Sequence, residues 1–138
     1  MLKNHETLRL EFVHYDFKPL KKRKEWNGVW VDSLTDIAAN KTMALIGRYE
    51  PKDAFDIYYL IHEGKFTPAK LTSLAKKKFG MGIPLSSFWE RALHASKGLN
   101  GLRPLIHGNK NQQNHLLKEI QTYFEREAAR ELRKHLLE

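Results

Sequence analysis

The sequence predicts an α+β domain that is mainly helical, with a short N-terminal antiparallel β-ribbon followed by a bundle of about five helices. Three observations carry this. From Ser33 onward, apolar residues recur three and four apart through segments punctuated by Pro51, Pro68 and Pro84 and by Gly64, Gly80 and Gly98. Upstream of them, Leu8 to Tyr15 alternates apolar and polar side chains, the mark of a half-buried strand. A chain of 138 residues is the size of one domain and buries about two-thirds of the surface it exposes when unfolded. We read residues 1–138 as that single domain, with a ribbon and its basic loop over 1–31 and the helical bundle over 32–138.

In order along the chain, Leu8, Leu10 and Phe12 face one way on the first strand, and Arg9, Glu11 and Val13 the other. Asp16 to Glu25, rich in lysine around Pro19, reads as an exposed loop. Trp26 to Val31 reads as the second strand, Trp26 and Trp30 on one face and Val29 and Val31 on the other, paired with the first. A lone two-stranded ribbon is marginal in water, so it should lie on helices or join a larger sheet.

A helix starts at the N-cap Ser33, with Asp36 in a capping-box position, and runs to about Arg48. Pro51 suits the first position of a second helix, which Gly64 stops. Thr67 and Pro68 start a third with Leu71, Leu74, Ala75 and Phe79 inward, ended by Gly80 and Gly82. Pro84 opens a fourth with Leu85, Phe88, Trp89, Ala92 and Leu93 inward. Leu99 to Gln112 reads as a loop. A terminal helix from about Asn111 then carries Leu116, Ile120, Phe124, Ala128, Leu132 and Leu136 four apart.

Composition narrows function. No apolar run is long enough to span a membrane, and the start MLKNHETLRLEF lacks the apolar core of a secretion signal, so a cytoplasmic protein with no membrane partner is expected. The absence of cysteine excludes disulfides, thiol catalysis and thiolate metal sites. The seven histidines show no ligand spacing, and no metal site is expected. A net charge of +8 favours a polyanionic partner. The loop residues Lys21, Lys22, Arg23 and Lys24, with Trp26 and Trp30 close behind, are candidates for nucleic-acid contact. Such a run is also the ordinary make-up of a solvated loop.

The chemistry concentrates between Val31 and Ile61. Lys41 falls inside the apolar stripe of the first helix, seven residues after Leu34 and four before Leu45, and Arg48 extends that face. On the second helix Asp53 and Asp56, three apart, share a face, with Lys52 four before Asp56. Two helices joined this tightly bring Lys41 and Arg48 near Asp53 and Asp56. The residue types fit a structural ion-pair network and a catalytic site equally.

In the string AANKTMALIGRYEPKDAFDIYYL, these five residues resemble the third conserved block of the AbiEii/AbiGii nucleotidyltransferase-like toxins, A-x-K, then an arginine, then [RK]-D-x-x-D. The match runs without a gap over about thirty residues. The resemblance implies that Lys41 and Asp53 belong to a catalytic pocket, Lys41 and Arg48 contacting nucleotide phosphates, with Asp56 and Lys52 supporting them. It also implies that Glu11, between Leu10 and Phe12, is the third catalytic carboxylate of the wider polymerase-beta-like superfamily. The family reaction is transfer of a nucleotide from a triphosphate to an acceptor such as tRNA, with Mg²⁺ and NTP as cofactors and an antitoxin as partner.

One family element is missing. No Gly-Ser turn followed by Asp-x-Asp occurs anywhere in the chain, and that block supplies the carboxylates that hold Mg²⁺ against the triphosphate. The expectation is therefore the C-terminal part of such an enzyme, inactive alone and binding neither Mg²⁺ nor NTP tightly: either it is truncated, or it has lost the chemistry, or another chain supplies the missing half. The rival expectation is a non-enzymatic basic helical module that binds nucleic acid or a partner protein.

Overall fold

The computed structural model of the protein describes residues 10–137. In chain order it comprises strands β1 (Lys24–Trp26) and β2 (Val29–Val31), helices α1 (Leu34–Gly47), α2 (Pro51–His62), α3 (Pro68–Phe79) and α4 (Leu85–Ser96), a 3₁₀ segment (Leu99–Leu105), and α5 (Lys110–Leu136). The mainly helical α+β class is as expected.

The helix punctuation acts where the sequence places it. Ser33 Oγ accepts from the Asp36 amide at 3.0 Å and starts α1. Pro51 is the first residue of α2, and Thr67 caps α3 by accepting from the Lys70 amide. Gly80 ends α3 at φ 74°, a left-handed conformation that glycine adopts without steric cost.

The core is a continuous cluster of Leu45, Ile57, Leu71, Phe88, Ile120, Phe124 and their neighbours. Helix α1 packs chiefly on α3 and α2, and α4 packs on α5 and α2. Each fully buried leucine, isoleucine or phenylalanine contributes about 1.5–3 kcal/mol of apolar transfer free energy.

The ribbon differs from expectation in partner, register and setting. Residues 10–15 are irregular and exposed rather than a strand, and Leu8 and Arg9 of that expected strand lie outside the described residues. The partner of β2 is instead β1, which spans the end of the stretch read as a loop and the first residue of the expected second strand, with Trp26 opposite Val29 and Glu25 opposite Trp30. The cause is the two-residue turn Asn27-Gly28, with φ 49° and 78°, which reverses the chain within what reads as one strand. Trp26 therefore shares a face with Val29 and Val31, and Trp30 with Glu25. All six strand residues are exposed, so the ribbon stands off the bundle rather than lying on it.

Three further corrections concern the helices. Part of the expected loop after α4 is the 3₁₀ segment, which buries Leu99. Leu102 and Ile106 pack on the core, while Leu105 stays exposed. On α5 the buried residues are Leu117, Ile120, Phe124 and Ala128. Leu132 and Leu136 are exposed, because a helix of 27 residues, about 40 Å long, extends past the helices it packs on. On α1 the buried face is Asp36, Ala38, Ala39, Thr42 and Leu45, so Leu34 is exposed and Lys41 sits at the edge of the buried face rather than within it.

Candidate functional site

The turn between α1 and α2 is built from charges. Arg48 ends α1, and its guanidinium grips the Asp53 carboxylate twice, Nη2 to Oδ1 at 2.8 Å and Nε to Oδ2 at 3.0 Å. Asp53 also accepts from the Glu50 amide at 3.1 Å, so one carboxylate caps α2 and anchors the end of α1. Asp53 is 0% exposed and Arg48 46%. The carboxylate hydrogen bond raises the Arg48 pKa further, against the opposing effect of desolvation. Tyr49, held between them at φ 40°, has the Arg91 guanidinium 4.4 Å from its ring centre and the His94 ring edge-on at 4.9 Å. A left-handed tyrosine costs about 1–3 kcal/mol, and those two contacts with Arg48–Asp53 hold it there.

About two turns back along α1 from Arg48 and one turn on along α2 from Asp53, Lys41 Nζ lies 2.5 Å from Asp56 Oδ2, and the two side chains are 38% and 34% exposed. They stand in the wall of a cleft of about 420 Å³ between α1 and α2, otherwise lined by Leu34, Ile37, Phe55, Tyr59, Leu60, Glu63 and Gly64. A second, smaller cleft on the other side of Phe55 and Asp56 is bounded by Lys52 and by Leu102, Leu105 and Ile106.

The structure thus brings the expected residues together as two separate pairs, Lys41 with Asp56 and Arg48 with Asp53, rather than one four-membered set. Lys52 does not support Asp56 by an ion pair; its ammonium lies 3.3 Å from Glu50. Glu11 is not on a strand. It lies in the exposed N-terminal segment and is not among the residues lining the Lys41 cleft. In the basic stretch, Arg23 Nε donates to Asp32 at 2.6 Å, while Lys21, Lys22 and Lys24 project into solvent, Lys24 from β1.

The sequence missed the most deeply buried ion pair. Asp36, read only as a capping residue, is 0% exposed and takes Lys78 Nζ at 2.9 Å on Oδ1, with Lys78 itself 1% exposed. The same carboxylate accepts from the Leu20 amide at 2.7 Å, the Lys21 amide at 3.1 Å and Ser33 Oγ at 2.7 Å. Burial alone would push its pKa up, but these hydrogen bonds outweigh it and hold the carboxyl well below the usual carboxylate range. Tyr15 and Phe17 stack edge-on with Phe79, and the Tyr15 hydroxyl donates to Asn40 at 3.0 Å, so the N-terminal segment is strapped across α1 and α3.

A family model described as nucleotidyl transferase AbiEii toxin, type IV toxin–antitoxin system, matches residues 5–134. The chain belongs to the AbiEii nucleotidyl transferase toxin family. No curated protein and no solved structure matches it.

An AbiEii-type reaction implies Mg²⁺ and a nucleoside triphosphate, and the donor set among the described residues does not suit the metal. Asp53 is neutralised by Arg48 and Asp56 by Lys41, whereas Mg²⁺ needs carboxylate oxygens free of a competing cation in octahedral array. Among the described residues no three acidic, histidine or cysteine side chains converge as metal ligands, and no helix is long and apolar enough to cross a membrane.

Proposed function

We propose that this chain is the phosphate-facing helical part of an AbiEii-type nucleotidyltransferase, in which Lys41 receives nucleotide phosphate. The observation that supports this is the half-open Lys41–Asp56 pair at an apolar cleft. An ion pair exposed by about a third contributes roughly 0–1 kcal/mol, little enough for a multiply charged phosphate to draw the ammonium away from Asp56. The cleft's apolar wall of Leu34, Ile37, Phe55 and Tyr59 then meets the uncharged part of the ligand. Arg48, half exposed while bound to Asp53, adds positive potential at the same turn, and Asp53 holds it there.

Because the residues present do not suit Mg²⁺, the chain by itself does not complete nucleotidyl transfer. An additional protein segment carrying a carboxylate pair supplies that function, the acceptor is an RNA such as tRNA, and a cognate antitoxin is the regulatory partner. A thermal-shift titration with nucleoside triphosphates tests the pocket. The parent protein should be stabilised and Lys41→Ala should not, and no shift in the parent sinks the proposal. Magnesium-dependent incorporation of labelled nucleotide into RNA by the purified chain would refute its inactivity.

A second reading, a non-enzymatic helical module, draws on the fact that Arg48 and Asp53 are fully engaged in shaping the turn. It requires that Lys41→Ala leave every ligand interaction unchanged, which the same titration decides.

A further inference from the structure

On a different face of α2 from the Lys41 cleft, a further cleft of about 470 Å³ opens against α5. We infer that this cleft binds an unpaired nucleotide of a single-stranded nucleic acid, the base against His62 and Tyr123 and the phosphate on Lys118 and Arg126. The inference is independent of any role of Lys41.

The aromatic side of the cleft is built from rings packed on one another. The His62 ring stacks on Tyr58 with centroids 4.0 Å apart and planes at 25°, and Tyr123 meets His62 edge-on at 4.7 Å. His62 Nδ1 lies 2.8 Å from the Tyr58 carbonyl, which can only accept, so Nδ1 carries a proton in this contact and fixes the ring against α2. Tyr58 is buried beneath them, and His62 and Tyr123, half-buried, are the rings an incoming base meets. Stacking of a base on such rings is indifferent to its identity and contributes about 1–3 kcal/mol per base.

The polar side matches the rest of a nucleotide. Lys118 and His115 form no ion pair among the described residues, and Arg126 has its Nε on Glu127 at 3.0 Å, with the guanidinium 5.8 Å from the Tyr123 ring centre. One carboxylate oxygen of Glu119 takes the Tyr58 hydroxyl at 2.9 Å, and the other can accept from an exocyclic base amine. Burial first, and then Glu119, push the Tyr58 phenol up to about 12, so it remains the donor in this bond.

A strand rather than a free nucleotide is indicated by what lies next door. Lys118 and Thr122 also line an adjoining polar cleft that contains Arg103 and Asn114. There Arg103 Nε and Asn114 Oδ1, both buried, have no hydrogen-bond partner within the protein. The two clefts together form a track for a neighbouring sugar-phosphate.

The test is fluorescence anisotropy of the full chain with a labelled, unpaired RNA oligonucleotide. The double variant Lys118→Glu/Arg126→Glu should bind roughly tenfold or more weakly, whereas Lys76→Glu/Lys77→Glu, an equal charge change on exposed residues of α3, should stay within about twofold. His62→Ala, with an unchanged melting temperature, should lose roughly tenfold through stacking. Equal losses in the two charge-reversed variants, equal affinity for duplex RNA, full affinity in folded His62→Ala, or no binding by the parent overturns the inference.

Discussion

Asp36 and Lys41 stand five residues apart on one helix and each is in an ion pair, yet they occupy opposite kinds of place. Asp36 and Lys78 have essentially no contact with solvent, and the carboxylate is also bonded to a hydroxyl and two backbone amides. Lys41 and Asp56 are wet on one side and face a cleft. Removing one partner of a buried pair strands the other charge, so such a pair is a fixture of the fold. Removing one partner of a half-exposed pair costs little, so such a pair is free to exchange. Depth, rather than residue type, separates the charges that hold this protein together from those available to a ligand.

The comparison can be broken at each pair. The largest effect is expected for Asp36→Ala, which leaves the Lys78 ammonium buried and unpaired. Urea denaturation should show a loss of about 3–5 kcal/mol. Limited trypsin digestion should cut faster at Lys18 to Lys22 as the strap lets go. Acid sharpens the result. A carboxyl whose pKa is depressed on folding contributes its full stability above the unfolded value of about 3.9, and loses it as the pH falls from there toward the folded value. The gap between parent and Asp36→Ala should therefore be constant near neutrality and shrink below about pH 4. A gap that widens on acidification would contradict the assignment.

Arg48→Ala comes next, at about 2 kcal/mol. Asp53 keeps the Glu50 amide but loses its charged partner, and Tyr49 loses a support of its left-handed backbone. Lys41→Ala should be smallest, under about 1 kcal/mol in the same denaturation, with its effect confined to nucleotide-induced stabilisation. If Lys41→Ala proves as damaging as Arg48→Ala, the two pairs are alike and the exchange argument fails.

Much of this was legible in the chain because it is local. Ser33, Pro51, Thr67-Pro68 and Gly80 act through bonds and dihedrals spanning a few residues, and their helices start and stop beside them. The charged hairpin was legible for the same reason, since Lys41 to Asp56 is two helices and a turn. What could not be read is the depth of each group and any partner far away. Lys78 sits in the run Lys76–Lys78, where nothing local separates the buried member from two exposed neighbours, and its carboxylate lies 42 positions upstream. The alternation from Leu8 to Tyr15 carried a strand signal whose described part found no strand partner. The Asn27-Gly28 hairpin was there to be seen, but two flanking tryptophans at an even spacing made the stretch look like one continuous strand.

The ribbon leaves one practical consequence. Of the three tryptophans, Trp89 is sealed in the bundle while Trp26 and Trp30 are largely open to water. Intrinsic emission from the two open indoles is sensitive to local polarity, so whatever covers the hairpin should announce itself as a blue shift. Collisional quenching by acrylamide, which reaches those two rings and not the third, should weaken at the same time, giving the unlabelled protein its own optical gauge of that surface.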